Sequence, residues 1–594
     1  MAIDRWAEAA LAPLVFWILL NGVDDLFLWI VWLLLPRPKS RAGANNQTAV
    51  QKRLAIFVPL WKEHRVIERM VSQNVGAIRY RNYDIFIGAY PNDGPTLAAI
   101  AEILKRFPHV HLARVPHDGP TSKADCLNWI YQRMLLFEEE HRVRFEMILT
   151  HDAEDVIHPE ALACIERHAD SYDMVQIPVL ALPTPWCELT HGVYCDDFAQ
   201  VELLDMPVRQ GLGGFIPSNG VGTAYSRRIL DRLAIAYGNR IFEPGCLTED
   251  YENGFRVDWM GGRQIFVRLA AQGEPILATR EYFPRSFRAA VRQRTRWITG
   301  IALQSWELHG FWETAAHWYW FWRDRKNLIG NLISPIANLI TVYGIARGGL
   351  AVDPLIGEAI LLCSGLMTIQ TAIRIYCCSR VYGIGFAAMV PLRMLWGNWI
   401  NGLATLMAIR VYVEARIRRR PLRWLKTEHA YPNRAALMEH RKPLEEILTV
   451  AGYLEPEVLA QALAEKPADR TLAAHLLKTG LMCEAELYEA ISLEHDLPLG
   501  KPEEIQAEAT RTFPADLSRR WKVLPFRIVA GSLHVAGPEP PTEKMHEELR
   551  TFSSMEIRFQ LVTPTMFEEL REVYLPEKSY GPAGRPEPVA SGGS

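Results

Sequence analysis

Three apolar blocks constrain this chain more than any other feature. Residues 11–35, 328–346 and 355–377 are each long enough, as helix, to span about 30 Å of hydrocarbon. The first has no basic leader and no small-residue cleavage site, so it is expected to stay in the protein as a membrane helix. Asp24 and Asp25 interrupt it midway. Acids at that depth are costly and face protein or water. A hairpin or a tilted helix with both acids near an interface is the open alternative. Arg37, Lys39, Arg41, Lys52 and Arg53 follow, which places that end in the cytoplasm by the positive-inside rule. Arg323, Asp324, Arg325 and Lys326 precede the second block, and the loop before the third holds only Arg347, so blocks two and three are expected to run out and back. Residues 384–413 are ambiguous, because Pro391, Arg393, Asn398, Asn401 and Arg410 interrupt them. A further crossing would place Arg416, Arg418, Arg419, Arg420, Arg423 and Lys426 outside. The expectation is therefore an interfacial or re-entrant segment with a cytoplasmic C-terminus.

At 594 residues the remainder is too long for one core, so two or three domains are expected. A net charge of -3 gives no reason to expect nucleic acid. Nine cysteines show no CxxC pair and no zinc spacing, which implies reduced thiols and no disulfide framework. Many of the eighteen tryptophans lie in or beside the apolar blocks, as interfacial belts require.

Residues 53–285 alternate strand and helix patterns, which predicts a largely parallel sheet. Strands are expected at 54–59, 83–88, 110–115 and 145–149, with Glu63 and Glu68 on the helix after the first. Ligands in such sheets bind beyond the carboxyl ends of strands. Asp93 and Asp152 both fall there. Asp152-Ala153-Glu154-Asp155 gathers three carboxylates within four residues. Taken alone it reads more readily as a charge-blunted edge strand. Its sharper reading is a hard-cation site, since Mg²⁺ takes one or two carboxylates plus substrate phosphates. Gly119 to Lys123 lacks the GxxxxGK[ST] pattern, which excludes a phosphate-loop ATPase. Lys123 itself is either a point charge for a phosphate or a solvated helix start. Glycines 211, 213, 214, 220 and 222 imply tight turns or close backbone approach to a ligand. Glu249 and Asp250 open a helix, where acids also serve simply as dipole partners. Gln293-Arg294-Thr295-Arg296-Trp297, taken alone, reads as a membrane-surface helix.

The order Asp93, Asp152-Ala-Glu154, Thr248-Glu249-Asp250 and Gln293-x-x-Arg296-Trp297, followed by membrane helices, resembles glycosyltransferase family 2 enzymes of the membrane polysaccharide-synthase type. The resemblance covers about residues 53–300. It implies an α/β GT-A (Rossmann-like) fold, a UDP-sugar donor and inversion at the anomeric carbon. Asp93 would contact the uridine, Asp152 and Glu154 would hold Mg²⁺ or Mn²⁺, and Asp250 would be the general base. Glu63, Lys123, Gly222, Glu249, Gln293, Arg296 and Trp297 complete the implied substrate-binding set. The loop 213–223 would border a polysaccharide acceptor. Glu154 departs from the family's more frequent Asp and remains an oxygen ligand. The layout is similar to the subgroup named for phage adsorption, which implies a bacterial inner-membrane protein with cytoplasmic catalytic and C-terminal domains. An outer-membrane export partner is plausible for a chain with so few helices. A single-sugar transferase to a lipid carrier and a non-enzymatic scaffold or phage-receptor subunit are the alternatives.

The C-terminal part contains a repeat at an offset of 28 residues, in which Leu444, Leu448 and Leu459 match Leu472, Leu476 and Leu487. Two helix–turn–helix copies make a compact pair rather than a solenoid. A hairpin turning at Gly531-Ser532, a helix, a strand at 557–561 and a final helix follow. This part resembles an α+β MshEN-like domain, some of which bind cyclic di-GMP through two RLGxxL copies. Here Pro443 and Thr471 replace the arginines, and Glu445 and Ala473 replace the glycines. Arg441 and Arg470 are the nearby candidates, with Leu444, Leu448, Leu472 and Leu476. Cyclic di-GMP binding and protein docking both remain open. The expected division is 1–52 (helix and basic linker), 53–310 (transferase domain), 311–426 (membrane and interfacial helices), 427–576 (MshEN-like domain) and 577–594 (a disordered Pro-, Gly- and Ser-rich tail).

Overall fold

The computed structural model describes residues 2–36, 51–268, 276–310, 314–349, 352–420, 422 and 443–575, apart from 451–452, 468–469, 496, 501–504, 530–531 and 554. Arg441 and the C-terminal tail lie outside the described residues. The chain forms two compact units, Met1–His440 and Arg441–Ser594.

In the first unit, β1 (Leu54–Pro59), β2 (Tyr83–Ala89), β3 (Val110–Arg114) and β4 (Met147–Thr150) are short apolar runs. β1, β2 and β4 are almost wholly buried, as parallel strands covered on both faces must be. Three shorter strands lengthen the sheet: β5 (Met174–Gln176), β7 (Thr223–Ser226) and β8 (Gln264–Phe266). The spatial order is β3-β2-β1-β4-β7-β5-β8. β6 (Val179–Ala181) and β9 (Thr279–Glu281) pair separately. The sheet is largely parallel, as expected: among the described strands β1–β2, β1–β4, β2–β3 and β5–β8 pair in parallel. β7 runs antiparallel to both β4 and β5. It enters from the glycine turn, where Gly222 N–H donates to the Thr150 carbonyl at 3.0 Å and so reverses the chain beside β4. The order leaves β1 and β4 adjacent with their connections running to opposite sides. Their carboxyl ends form the crevice where open α/β sheets take ligands.

Among the described residues, three helices are long and apolar enough to cross a membrane: Ala10–Leu34, Ala315–Ala346 and Pro354–Tyr382. The first is one continuous helix from Ala2, so the hairpin alternative does not hold. Asp24 and Asp25 face protein. Lys326 Nζ lies 2.6 Å from Asp24 and 3.1 Å from Asp25, Arg323 pairs with both, and the Tyr319 hydroxyl donates to Asp24 at 2.8 Å. The basic run before the second block is therefore inside its helix, with two of its cations committed to the first helix. Residues Val390–Ile417 form one uninterrupted helix outside that apolar set, with Arg393 fully buried against Asp196 at 2.7 Å.

In the second unit, β10 (Leu524–Val529) pairs antiparallel with β11 (Ser532–Gly537), which pairs parallel with β12 (Glu556–Leu561) across the helix Glu543–Arg550. Among the described residues the helices Leu444–Val450, Pro456–Glu465, Leu472–Thr479, Glu484–His495 and Ala515–Trp521 precede them. Gly480 ends the third with φ +69°, the left-handed cap that glycine accepts at no steric cost.

Candidate active site

A pocket of about 130 Å³ opens at the carboxyl ends of β1 and β4. Glu63, Lys123, Asp152, Glu154, Glu249, Asp250, Gln293, Arg296 and Trp297 all line it, from segments up to 234 residues apart (297 − 63). Each arrives by a local device. Ser122 caps the helix Lys123–His141 by accepting the Asp125 N–H at 3.2 Å, which sets Lys123 at its first turn. Asp250 sits in the first turn of the helix Glu249–Trp259. Gln293, Arg296 and Trp297 share the helix Phe287–Ile298, capped by Ser286.

Lys123 Nζ lies 2.6 Å from Asp152 Oδ1 and donates to the Gly220 carbonyl at 3.3 Å. Gly220 has φ +77°, and a Cβ there would stand 2.7 Å from Asp250 Oδ2, so the loop closes onto that acid only with glycine. Burial, and then the neighbouring Asp250, push the Glu249 carboxyl up to about 7. Burial likewise raises Asp250, while Lys123 and Arg296 oppose the shift. Lys123 is held above its ordinary value, because Asp152 and Glu249 outweigh its own burial. Asp155, the last acid of the cluster, is fully buried and turned inward. Its Oδ2 accepts the Asp152 backbone N–H at 3.0 Å and lies 2.7 Å from His151 Nδ1.

Two expected residues are not brought into the lining. The Asp93 carboxylate accepts the Lys62 backbone N–H at 2.6 Å, so it holds the loop carrying Trp61 and Glu63. Gly222 has φ +60°, and a Cβ there would stand 2.6 Å from Thr279 Oγ1, so it serves the turn. The four repeat leucines, Leu444, Leu448, Leu472 and Leu476, are all buried in the second unit, and Arg470 is half-buried beside the helix cap Thr471.

Other lining residues carry no local signal of their own. Trp61 and Tyr90 meet edge to face at 5.5 Å and make an aromatic corner, with the Tyr90 hydroxyl 2.7 Å from Thr121 Oγ1. Trp297 is boxed by Tyr194, Phe198 and Phe283. Trp297 also lines a second cavity of about 750 Å³ among the long helices. All five cations that line this cavity are ion-paired: Arg294 and Arg374 with Asp197, Arg323 and Lys326 with Asp24 and Asp25, and Arg393 with Asp196. Asn21, Asn331, Asn338, Gln370, Asn398 and Asn401 supply amides.

No group of three or more metal-ligating side chains occurs among the described residues. The donor set still suits a hard cation. Six carboxyl groups line the first pocket, Glu63, Asp152, Glu154, Glu249, Asp250 and Glu281, against two cations, Lys123 and Arg296. An excess of oxygen acids with few protein ligands is what a Mg²⁺-type ion shared with substrate phosphates requires.

Residues 52–300 match the family described as Glycosyltransferase like family 2, and residues 495–579 match the MshEN domain, so the repeat helices precede the latter match. The chain is 32% identical over 567 residues to the bacteriophage adsorption protein B of Escherichia coli strain K12, across 88% of this chain and 75% of that protein. The bacteriophage N4 adsorption protein B of Escherichia coli O157:H7 gives the same identity and coverage. Among solved structures, the mannosyltransferase PcManGT from Pyrobaculum calidifontis, in complex with GDP-Man and Mn²⁺, is similar at 17% identity and a TM-score of 0.41, covering 66% of this chain and 99% of that one. A structure of MshE with cdg is similar at 22% identity and a TM-score of 0.21, covering 23% of this chain and 99% of that one.

Proposed function

Because this chain belongs to the family of the bacteriophage adsorption protein B and carries a glycosyltransferase family 2 domain, we propose that it transfers a sugar from a UDP-sugar, with inversion, to a growing exopolysaccharide at the bacterial inner membrane. The observation that carries this reading is the convergence of Asp152, Glu154, Asp250, Gln293, Arg296 and Trp297 on one pocket. An acceptor hydroxyl attacks the anomeric carbon, and the bond to the diphosphate breaks with its electron pair on the leaving oxygen. Asp250 takes the hydroxyl proton as general base. Burial suits it to that task, since a base with a raised pKa holds a proton better. Lys123 and Arg296 offset charge on the diphosphate. Asp152 and Glu154 would hold Mg²⁺ or Mn²⁺, which would supply charge neutralisation to the diphosphate leaving group. Trp61 and Tyr90 form an apolar wall suited to a planar base, and Asp93 supports it through Lys62. UDP-GlcNAc and UDP-ManNAc are the donors to try first.

The second cavity favours a polymer over a lipid-carrier acceptor. Its cations are already paired, so it offers amides and an indole to hydroxyl groups and no unpaired positive charge to a lipid phosphate. In this proposal the transferase unit and the C-terminal unit are cytoplasmic, and a separate outer-membrane partner exports the product. The C-terminal unit is regulatory, with cyclic di-GMP as its candidate effector. Burial of the four repeat leucines favours the alternative, a protein-docking role.

Calorimetry with UDP on the purified full chain tests the site. Binding is expected in Mn²⁺ or Mg²⁺, and its loss is expected in EDTA and in the Asp152→Asn/Glu154→Gln variant. Absence of binding under every condition would support the scaffold reading instead.

A further inference from the structure

A third cavity, of about 430 Å³, lies at the far end of the helix that carries Asp250. The first turn of the helix Glu249–Trp259 lines the first pocket, whereas Glu252, Phe255, Arg256 and Trp259 line this one. Arg256 is 4% exposed, and its guanidinium carbon stands 3.5 Å from the centre of the Tyr237 ring. Its Nη1 is buried and has no hydrogen-bond partner. A buried donor left unmade is costly, so the cavity asks for an acceptor atom.

The other polar groups divide into spent and available. Gln304 accepts the Leu247 N–H at 3.0 Å and donates to the Gly245 carbonyl at 2.8 Å, so both ends of its amide fix the wall. His309 Nε2 lies 2.7 Å from Glu252 Oε2. Glu243 Oε1 takes a long bond from the Gly245 N–H, 3.4 Å, which leaves most of the acceptor capacity of that carboxylate to a ligand. Trp259 is half-exposed and is backed by Phe255, the rings 26° apart in plane and 6.2 Å between centres.

This lining selects one chemical class. A phosphate or other polyanion would meet Glu243 and Glu252 beside a single arginine. A wholly apolar ligand would leave the guanidinium buried and unpaired. A sugar ring answers both, since its C–H face packs on an indole while its hydroxyls accept from a guanidinium and donate to a carboxylate. The volume falls within the range of small-ligand sites. We propose that this cavity is a saccharide site separate from the first pocket, with Trp259 as the platform, Arg256 Nη1 as the donor and Glu243 as the acceptor. A free sugar and one ring of a polymer offer it the same chemistry.

The experiment is saturation-transfer NMR titration of purified full-length protein, in a detergent without a sugar headgroup and without donor or metal. The probes are glucose, N-acetylglucosamine, N-acetylmannosamine and cellobiose. Binding of at least one probe is expected. Trp259→Ala is expected to weaken it about fivefold, and Trp259→Tyr to stay within about twofold. Arg256→Lys, which keeps the charge and loses the fork, is expected to weaken it about tenfold. Trp297→Ala is expected to leave it unchanged. Because Trp259 is half-exposed, its variants keep the test open even if the buried arginine cannot be replaced without unfolding. Tighter binding of cellobiose than of glucose upholds the site and assigns it to a polymer segment, and equal binding upholds it for a free sugar. Binding that survives Trp259→Ala, or is lost in Trp297→Ala instead, would overturn the inference, and so would the absence of binding by every probe. No turnover enters the measurement, so calorimetry with UDP judges the transferase reading separately.

Discussion

The first pocket and the helix cavity are joined at Trp297 and treat charge in opposite ways. The cavity among the long helices matches each of its five lining cations with an aspartate. The pocket at the sheet edge gathers six carboxyl groups around two cations. Burying charge is expensive, and part of this excess is met by the raised Glu249 and Asp250 carboxyls. The cavity is settled by its own side chains. In the proposed reading, a cation and a nucleotide complete the pocket.

Removing the proposed base is expected to break the pocket most severely. Asp250→Asn is expected to lower turnover at least about 100-fold while UDP binding is kept, since general-base catalysis contributes that much or more. Wild-type turnover in this variant would remove Asp250 as base. Unbalancing the cavity should cost stability rather than chemistry. Asp24→Asn/Asp25→Asn removes the ion pairs of Arg323 and Lys326 with the first helix and is expected to cost about 3–5 kcal/mol, seen as a lower melting temperature in detergent. Replacing Arg323 and Lys326 by Met in the same chain should recover most of it. An unaltered melting temperature in the double variant would show that the pairs are not structural.

The charge on Lys123 sharpens the contrast further. Asp250 acts as a base only when deprotonated, so its raised pKa places the acid limb of the rate above the ordinary carboxylate range. Lys123 pulls that pKa down. Lys123→Met is therefore expected to move the limb to higher pH, read from a pH–rate profile. A shift to lower pH would contradict the electrostatic picture. The smallest effect belongs to the aromatic corner, where Trp61→Ala is expected to raise the donor KM about fivefold, the scale of one aromatic contact. No change would place the base elsewhere.

Much of this was legible in the sequence. Short apolar runs marked β1 to β4, and the strand-then-acid pattern placed Asp152 at the ligand-binding edge. Three of the four motifs converge: Asp152 and Glu154 follow a strand, Glu249 and Asp250 open a helix, and Gln293, Arg296 and Trp297 lie in the second half of the helix Phe287–Ile298. What local sequence could not show is where loops fold back. Asp93 sits after β2 as expected, yet its carboxylate is taken by the Lys62 N–H, a contact across 31 residues. The reversal of β7 depends on the bond from Gly222 to Thr150, which no periodicity encodes. Glu202 falls in a helical stretch and looks like an ordinary surface acid until the fold buries it against Asn219. Arg323 and Lys326 read as loop charges because their partners lie some 300 residues upstream.

Release of UDP by the purified full-length chain tests the central claim most directly. The donors are a panel of UDP-sugars, each in Mn²⁺ and in EDTA, and each with and without cyclic di-GMP. The account predicts turnover of one donor in Mn²⁺ and none in EDTA. Equal turnover in EDTA would contradict the cation-completed pocket, and no release from any donor, even with native membranes added, would contradict the enzyme itself.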